Sequence, residues 1–322
     1  MRSRVAGGSR GRPRLHPRDA VAGHERVREV RVTRQVMPLS TDLPAVARRT
    51  RLHWQAYAAE FVGTFLLIFL GLSVVIFDFS AASPMVTAVP DAFVRRLITG
   101  FLFGTVGALV AVGPMGRTSG AHLDPVLSWA FWCAGSLRAV DAAMYSVAQF
   151  LGALAGAALL VPVWGRFGAA LGYGATAPAP HVAAWAPVAG EAGVTFALVG
   201  GILWFVGHPR LRRYTPALIP PLVALLVGFE APLSDTSMNP ARSLGPAVVG
   251  HELGVLWIYF LGPAVGAAIA ALVAVRPDRV HVAKIAHHEH DPLGRFHGGA
   301  AASPAVALRR RARDRAWWRL GR

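Results

Sequence analysis

Long apolar runs separated by short polar breaks dominate the chain. They lie at about 56–77, 97–113, 139–161, 188–206, 214–229 and 255–275. Most approach the roughly 20 residues that a helix needs to cross a bilayer. The fifth is short and carries Pro220 and Pro221, which a membrane helix tolerates where neighbouring groups satisfy the freed backbone. The pattern predicts an all-α membrane protein with six spans.

The chain repeats itself. AEFVGTF (59–65) matches GEAGVTF (190–196), so Glu60 and Glu191 each precede a Thr-Phe pair by the same spacing. QFLGALAGAA (149–158) matches YFLGPAVGAA (259–268). Each copy, about 56–161 and 188–275, contains three spans. Three is odd, so the second copy inserts upside down relative to the first. Inverted repeats place a substrate path at their shared interface, near the bilayer midplane. Gly152 and Gly156, like Gly262 and Gly266, are four apart, a spacing that permits close helix contact.

Each copy also holds one polar motif, DPVLSWAFW (124–132) or NPARSLGPAVV (239–249). Asp or Asn is a strong N-cap and Pro is favoured at the first helical position, so each motif starts a helix. Each helix has only about ten residues before Gly135 or Gly250. That is too short to cross, and a re-entrant half-helix fits. Inversion points the two N-termini at each other. Each end carries roughly half a positive charge, and the pair forms a barrier to cations and protons.

With SMNPARSLGPA (237–247) and SGAHLDP (119–125) in hand, the chain resembles the major intrinsic protein family, the aquaporins and glyceroporins, over about residues 55–276. The resemblance implies six tilted helices plus two half-helices, and a homotetramer with one pore per subunit. It implies passive conduction of water or small uncharged solutes such as glycerol, with ammonia and metalloid acids as alternatives. Asn239, Pro240 and Ala241 match the second signature fully. Asp124, Pro125 and Val126 match the first with two departures, since the family usually has Asn and Ala at the outer positions. Arg242 matches the constriction arginine, and Val227 and Thr236 fall at two further constriction positions. The fourth wall is Phe103 or, by ungapped counting, Gly104; Phe103 is preferred. Glu60 and Glu191 match acids that brace the half-helix loops.

Asp124 caps as Asn would, but an ionised carboxylate offers acceptors only. Three consequences are open: a plain cap with ordinary conduction, weaker proton exclusion, or a closed path. The first is adopted, because Asn239, Arg242 and both prolines remain. Val227 removes a donor that a histidine would supply there, and Thr236 is small, so the constriction is expected to be wider than a strict water filter. A secondary transporter also suits inverted repeats, but the spans hold few ionisable groups for coupling. A non-conducting family member is the remaining alternative. The spans show no nucleophile–base pairing and no metal-ligand spacing, so no enzyme activity, cofactor or metal is expected.

Composition agrees with a membrane protein: 54% of residues are hydrophobic and 16% charged. The net charge of +16 sits in the tails, with 13 Arg in residues 1–53 and 11 Arg/Lys in 276–322. These tails are expected at the cytoplasmic face, against anionic lipid rather than nucleic acid. The expected domains are a disordered tail (1–53), a channel (54–276) and a basic tail (277–322). The last carries His281, His287, His288, His290 and His297, a weak metal or pH signal. It also carries Trp317 and Trp318 amid arginines, a combination suited to the inner membrane surface.

Overall fold

A computed structural model describes residues 52–274. Most of the first tail, the second tail, its histidines and the paired tryptophans lie outside the described residues. The described chain is helical: α1 (Trp54–Phe79), α2 (Pro84–Ala88), α3 (Ala92–Val112), α4 (Pro114–Ser119), α5 (Pro125–Cys133), α6 (Ala139–Ala169), α7 (Trp185–Val206), α8 (Thr215–Ser234), α9 (Pro240–Gly250) and α10 (Ile258–Ala274). Five helices are long and apolar enough to span a membrane. The sixth, α10, has 17 described residues and stops where the description stops. Among the described residues there is no strand. The long helices expected as spans and the two short helices expected after the Asp124 and Asn239 motifs are therefore present.

Local chemistry sets the boundaries. Helix α3 begins earlier than its apolar run because Asp91 caps it, accepting from the Phe93 and Val94 N–H groups at 2.7 and 3.1 Å. The fifth span is not short. Pro216 lies in its first turn, and α8 continues through Pro232 to Ser234, 20 residues in all. Pro232 has no N–H for the carbonyl of Gly228, four residues back. The Arg96 Nε on α3 donates to that carbonyl instead, at 3.2 Å. Helix α9 includes Gly250 rather than ending before it; His251, at φ 62°, supplies the left-handed cap. The two short helices α2 and α4, each led by a proline, are not expected from the apolar pattern.

The helices pair as the repeat requires. Helix α1 packs on α6, α7 on α10, and α3 on α8 across the two copies. The half-helices cross over: α9 lies against α6, and α5 reaches α10. What is buried differs from a soluble core. Glu60, Glu191, Gln149, Thr64 and Thr195 are fully buried, while Leu109, Phe229 and Val273 are largely exposed on the outer faces. Lipid is as apolar as leucine, so these helices associate through close backbone approach rather than through apolar burial.

The glycines make that approach possible. A Cβ on Gly152 would lie 2.3 Å from the Phe61 carbonyl oxygen, and one on Gly266 would lie 2.2 Å from that of Ala192. These glycines, one from each copy, thus let α6 press onto α1 and α10 onto α7. Gly193, by contrast, has nothing within 4 Å of where an added Cβ would sit. Gly266→Ala is expected to lower stability by about 1–3 kcal/mol, read as an earlier thermal or detergent unfolding midpoint. Gly193→Ala, in the same pair of helices, should leave the midpoint in place.

Candidate functional site: the paired loops and the constriction

Each half-helix is approached by a strained loop. In the first, Gly120, Ala121 and Leu123 have φ of 100°, 49° and 56°. In the second, Asp235, Thr236 and Met238 have φ of 60°, 47° and 58°. The three positions correspond between the copies, each lying 4, 3 or 1 residues before Asp124 or Asn239. Left-handed backbone at a non-glycine residue costs of order 1–3 kcal/mol and persists only where the surroundings enforce it.

Glu60 and Glu191 enforce it. Glu60 on α1 accepts from the His122 N–H at 2.9 Å and the Leu123 N–H at 2.7 Å. Glu191 on α7 accepts from the Ser237 N–H at 2.7 Å and the Met238 N–H at 2.8 Å. Gln149 donates to Glu60 at 2.8 Å and to the Ser128 hydroxyl at 3.1 Å. Two tyrosines complete the braces. The Tyr145 hydroxyl donates to the Ser119 carbonyl at 2.8 Å, and that of Tyr259 to the Ser234 carbonyl at 2.9 Å.

Asp124 and Asn239 cap α5 and α9, but not identically. The Asn239 side-chain oxygen accepts from the Ala241 and Arg242 N–H groups at 2.9 and 3.3 Å. Its amide nitrogen donates to the Leu123 carbonyl at 2.8 Å, tying the two loops together. The Asp124 carboxyl accepts from the Val126 N–H at 3.0 Å and forms no matching bond to the second loop. The cross-link between the loops is therefore one-sided. Pro125, Val126, Pro240 and Ala241 are buried where the half-helices begin, with Val126 in the cluster around Leu127 and Phe131.

Phe103, Val227, Thr236 and Arg242 line one cavity of about 680 Å³. Gly104 does not line it. A Cβ there would lie 2.8 Å from the Pro220 Cα, so Gly104 seats α3 against α8. The Phe103 ring lies over Gly71, where an added Cβ would sit 2.5 Å from the ring. The Arg242 guanidinium donates to the Gly174 carbonyl at 2.7 Å. That carbonyl belongs to the Gly172–Gly174 turn after α6, in which all three residues have positive φ. Sequence reasoning does not supply this acceptor, although GYG in a loop is a visible cue for positive φ. Nor does it supply Glu230. This is an acid inside an apolar span, itself a marker of function, and it touches both Ser234 and Thr236.

The site combines two converging half-helix N-termini, a fixed cation at Arg242 and a cavity with apolar walls. It can pass neutral molecules in contact with donors while disfavouring cations.

A family model described as major intrinsic protein matches residues 47–274. The chain is similar to aquaporin TIP2-1 of Arabidopsis thaliana, 30% identical over 227 residues that cover 68% of this chain and 85% of that one. It is similar to the probable aquaporin AqpM of Archaeoglobus fulgidus, 32% identical over 232 residues covering 67% and 93%. The X-ray structure of the aquaglyceroporin from Plasmodium falciparum shares the fold, with a TM-score of 0.57 at 19% identity, covering 70% of this chain and 97% of that one. The chain belongs to the major intrinsic protein family: it is a multi-pass membrane channel for water and small solutes, and not an enzyme.

Proposed function

We propose that the pore passes small uncharged polyols such as glycerol as well as water. The carrying observation is the make-up of the constriction. Arg242 shares its cavity with Phe103, Val227 and Gly100. The other arginine on that lining, Arg96, already donates to the Gly228 carbonyl. Glycerol has a hydrocarbon face and a hydroxyl edge. An apolar wall together with a guanidinium suits both, whereas a histidine at 227 would narrow the passage and add a donor that suits water alone. Phe103, Val227, Thr236 and Arg242 are read as the selectivity constriction. Asp124, Pro125, Val126, Asn239, Pro240 and Ala241 are read as the pore signature, with Glu60 and Glu191 as its braces.

The working assembly on this reading is a homotetramer in a cell membrane with one pore per subunit. Residues 54–276 form the channel, and both basic tails lie at the cytoplasmic face. The excess of Arg in the tails over the connecting segments supports that orientation.

Asp124 acts as a cap. Its contact to the Val126 N–H is the one that starts α5, and the second motif retains the amide that donates across the midplane. The two helix ends and Arg242 keep the proton barrier.

Stopped-flow light scattering on reconstituted vesicles facing an inward glycerol gradient tests the solute. Both the shrinkage phase, which is water leaving, and the reswelling phase, which is glycerol entering, should be faster than in empty vesicles. Reswelling at the control rate would reduce the protein to a water channel. Val227→His should slow reswelling and spare shrinkage. For the cap, wild-type vesicles under a pH gradient should show no proton flux above control, and Asp124→Asn should change neither that nor the water rate. A proton flux in the wild type that vanishes in Asp124→Asn would show that the carboxyl breaches the barrier.

A further inference from the structure

The second brace contains more oxygen-to-oxygen contacts than its hydroxyl protons can fill. The Ser234 Oγ lies 2.6 Å from Glu191 Oε1 and 2.6 Å from Glu230 Oε1. The Thr236 Oγ1 contacts Glu230 Oε2. Three contacts need three protons, and the two hydroxyls supply two. With both carboxylates ionised, one pair of lone-pair oxygens would face each other at hydrogen-bond distance with nothing between them.

The third proton has one suitable place. Glu191 already accepts backbone N–H groups on both oxygens, from Ser237 on Oε1 and Met238 on Oε2. Glu230 accepts none from the backbone. A proton on Glu230 Oε2, toward Thr236, would leave Ser234 with one proton for two acceptors. A proton on Oε1 fills every contact: Glu230 donates to Ser234, Ser234 donates to Glu191, and Thr236 donates to Glu230 Oε2. The charges nearby point the same way. Glu191 on α7 and Asp235 after α8 both act on Glu230, and Arg242 on α9 is shared between Glu191 and Asp235. The Tyr259 hydroxyl from α10 is committed to the Ser234 carbonyl, and Arg96 from α3 to that of Gly228. A further buried anion would find no cation of its own among the described residues, and such a charge is costly. The seat is also shaped for the acid. A Cβ on Gly190 would lie 2.7 Å from Glu230 Oε1, and the first copy, with Ala59 at the matching position, has no second acid there.

We propose that Glu230 is held as a neutral carboxylic acid and serves as a positioning residue for the constriction. Its Oε2 accepts the hydrogen bond from the Thr236 hydroxyl, so Thr236 turns its oxygen lone pairs to the cavity that it shares with the Arg242 donors. The constriction then selects solutes that give an O–H or N–H to Thr236 and accept from Arg242, a class that includes polyols and amides as well as water. This rests on the channel reading above and specifies one wall of it.

Infrared spectroscopy of the purified full-length protein reads the proton directly, with no solute crossing a membrane. The wild type minus Glu230→Gln difference at neutral pH should lose a carboxylic-acid carbonyl band that shifts in deuterium oxide. Loss of carboxylate bands instead would overturn the proposal. Ser234→Ala leaves both acids in place and should move that acid band by removing its hydrogen-bond acceptor; an unmoved acid band would also overturn it. In vesicles, Glu230→Gln keeps a donor toward Ser234 and an acceptor for Thr236, so it should keep the wild-type ratio of solute to water permeability, while Glu230→Ala and Thr236→Val should both shift it. Equal ratios in all variants would overturn the role at the constriction. If glycerol does not enter through any form, the infrared result still decides the protonation.

Discussion

Two buried carboxylates make the rest of this channel possible. Glu60 and Glu191 each hold a pair of consecutive backbone N–H groups in a loop whose φ angles would otherwise be unfavourable. Those loops aim the N-termini of α5 and α9 into the membrane interior. Without an acceptor at that depth the N–H groups would be orphaned in a medium with no water to satisfy them. The acids therefore convert a strained, polar backbone into one of two defined helix starts, and the helix starts supply the electrostatics of the pore.

The same constraint explains the packing. A loop can be braced only if the spans carrying the braces lie close together. Helices α6 and α10 reach α1 and α7 through glycines at which even a methyl group would collide with a backbone carbonyl. The polar interior and the small-residue contacts are thus one design. Large apolar side chains such as Leu109, Phe229 and Val273 also stand on the outer faces, which an apolar surround accepts.

The two copies share this frame but have diverged in chemistry. Each has its tyrosine, but the first sets Gln149 beside Glu60 and the second sets Ser234 and Glu230 beside Glu191. The first caps with a carboxylate and the second with an amide. Only the amide gives a hydrogen to the opposite loop in this structure, so the tie between the halves runs in one direction, from Asn239 to Leu123. Three of the four residues proposed as the constriction, Val227, Thr236 and Arg242, lie in the second copy, and Thr236 both contacts Glu230 and lines the cavity.

Much of this is legible in residues alone. Apolar length requires spans, the odd number of spans per copy requires inversion, and Asp-Pro and Asn-Pro require helix starts, because hydrogen-bond satisfaction in lipid and capping are local rules. Boundaries are less legible: the end of α8 depends on Arg96 reaching the Gly228 carbonyl from another helix. The choice between Phe103 and Gly104 needs the rotation of α3 against α8, which neighbouring helices set and which no residue of α3 encodes by itself. The Gly174 carbonyl and Glu230 become part of the site only through contacts between segments that local spacing does not bring together. Local chemistry therefore determined the elements and their inversion, and tertiary packing decided which atoms face the pore, because that depends on distances between chain segments that spacing along one stretch of sequence does not contain.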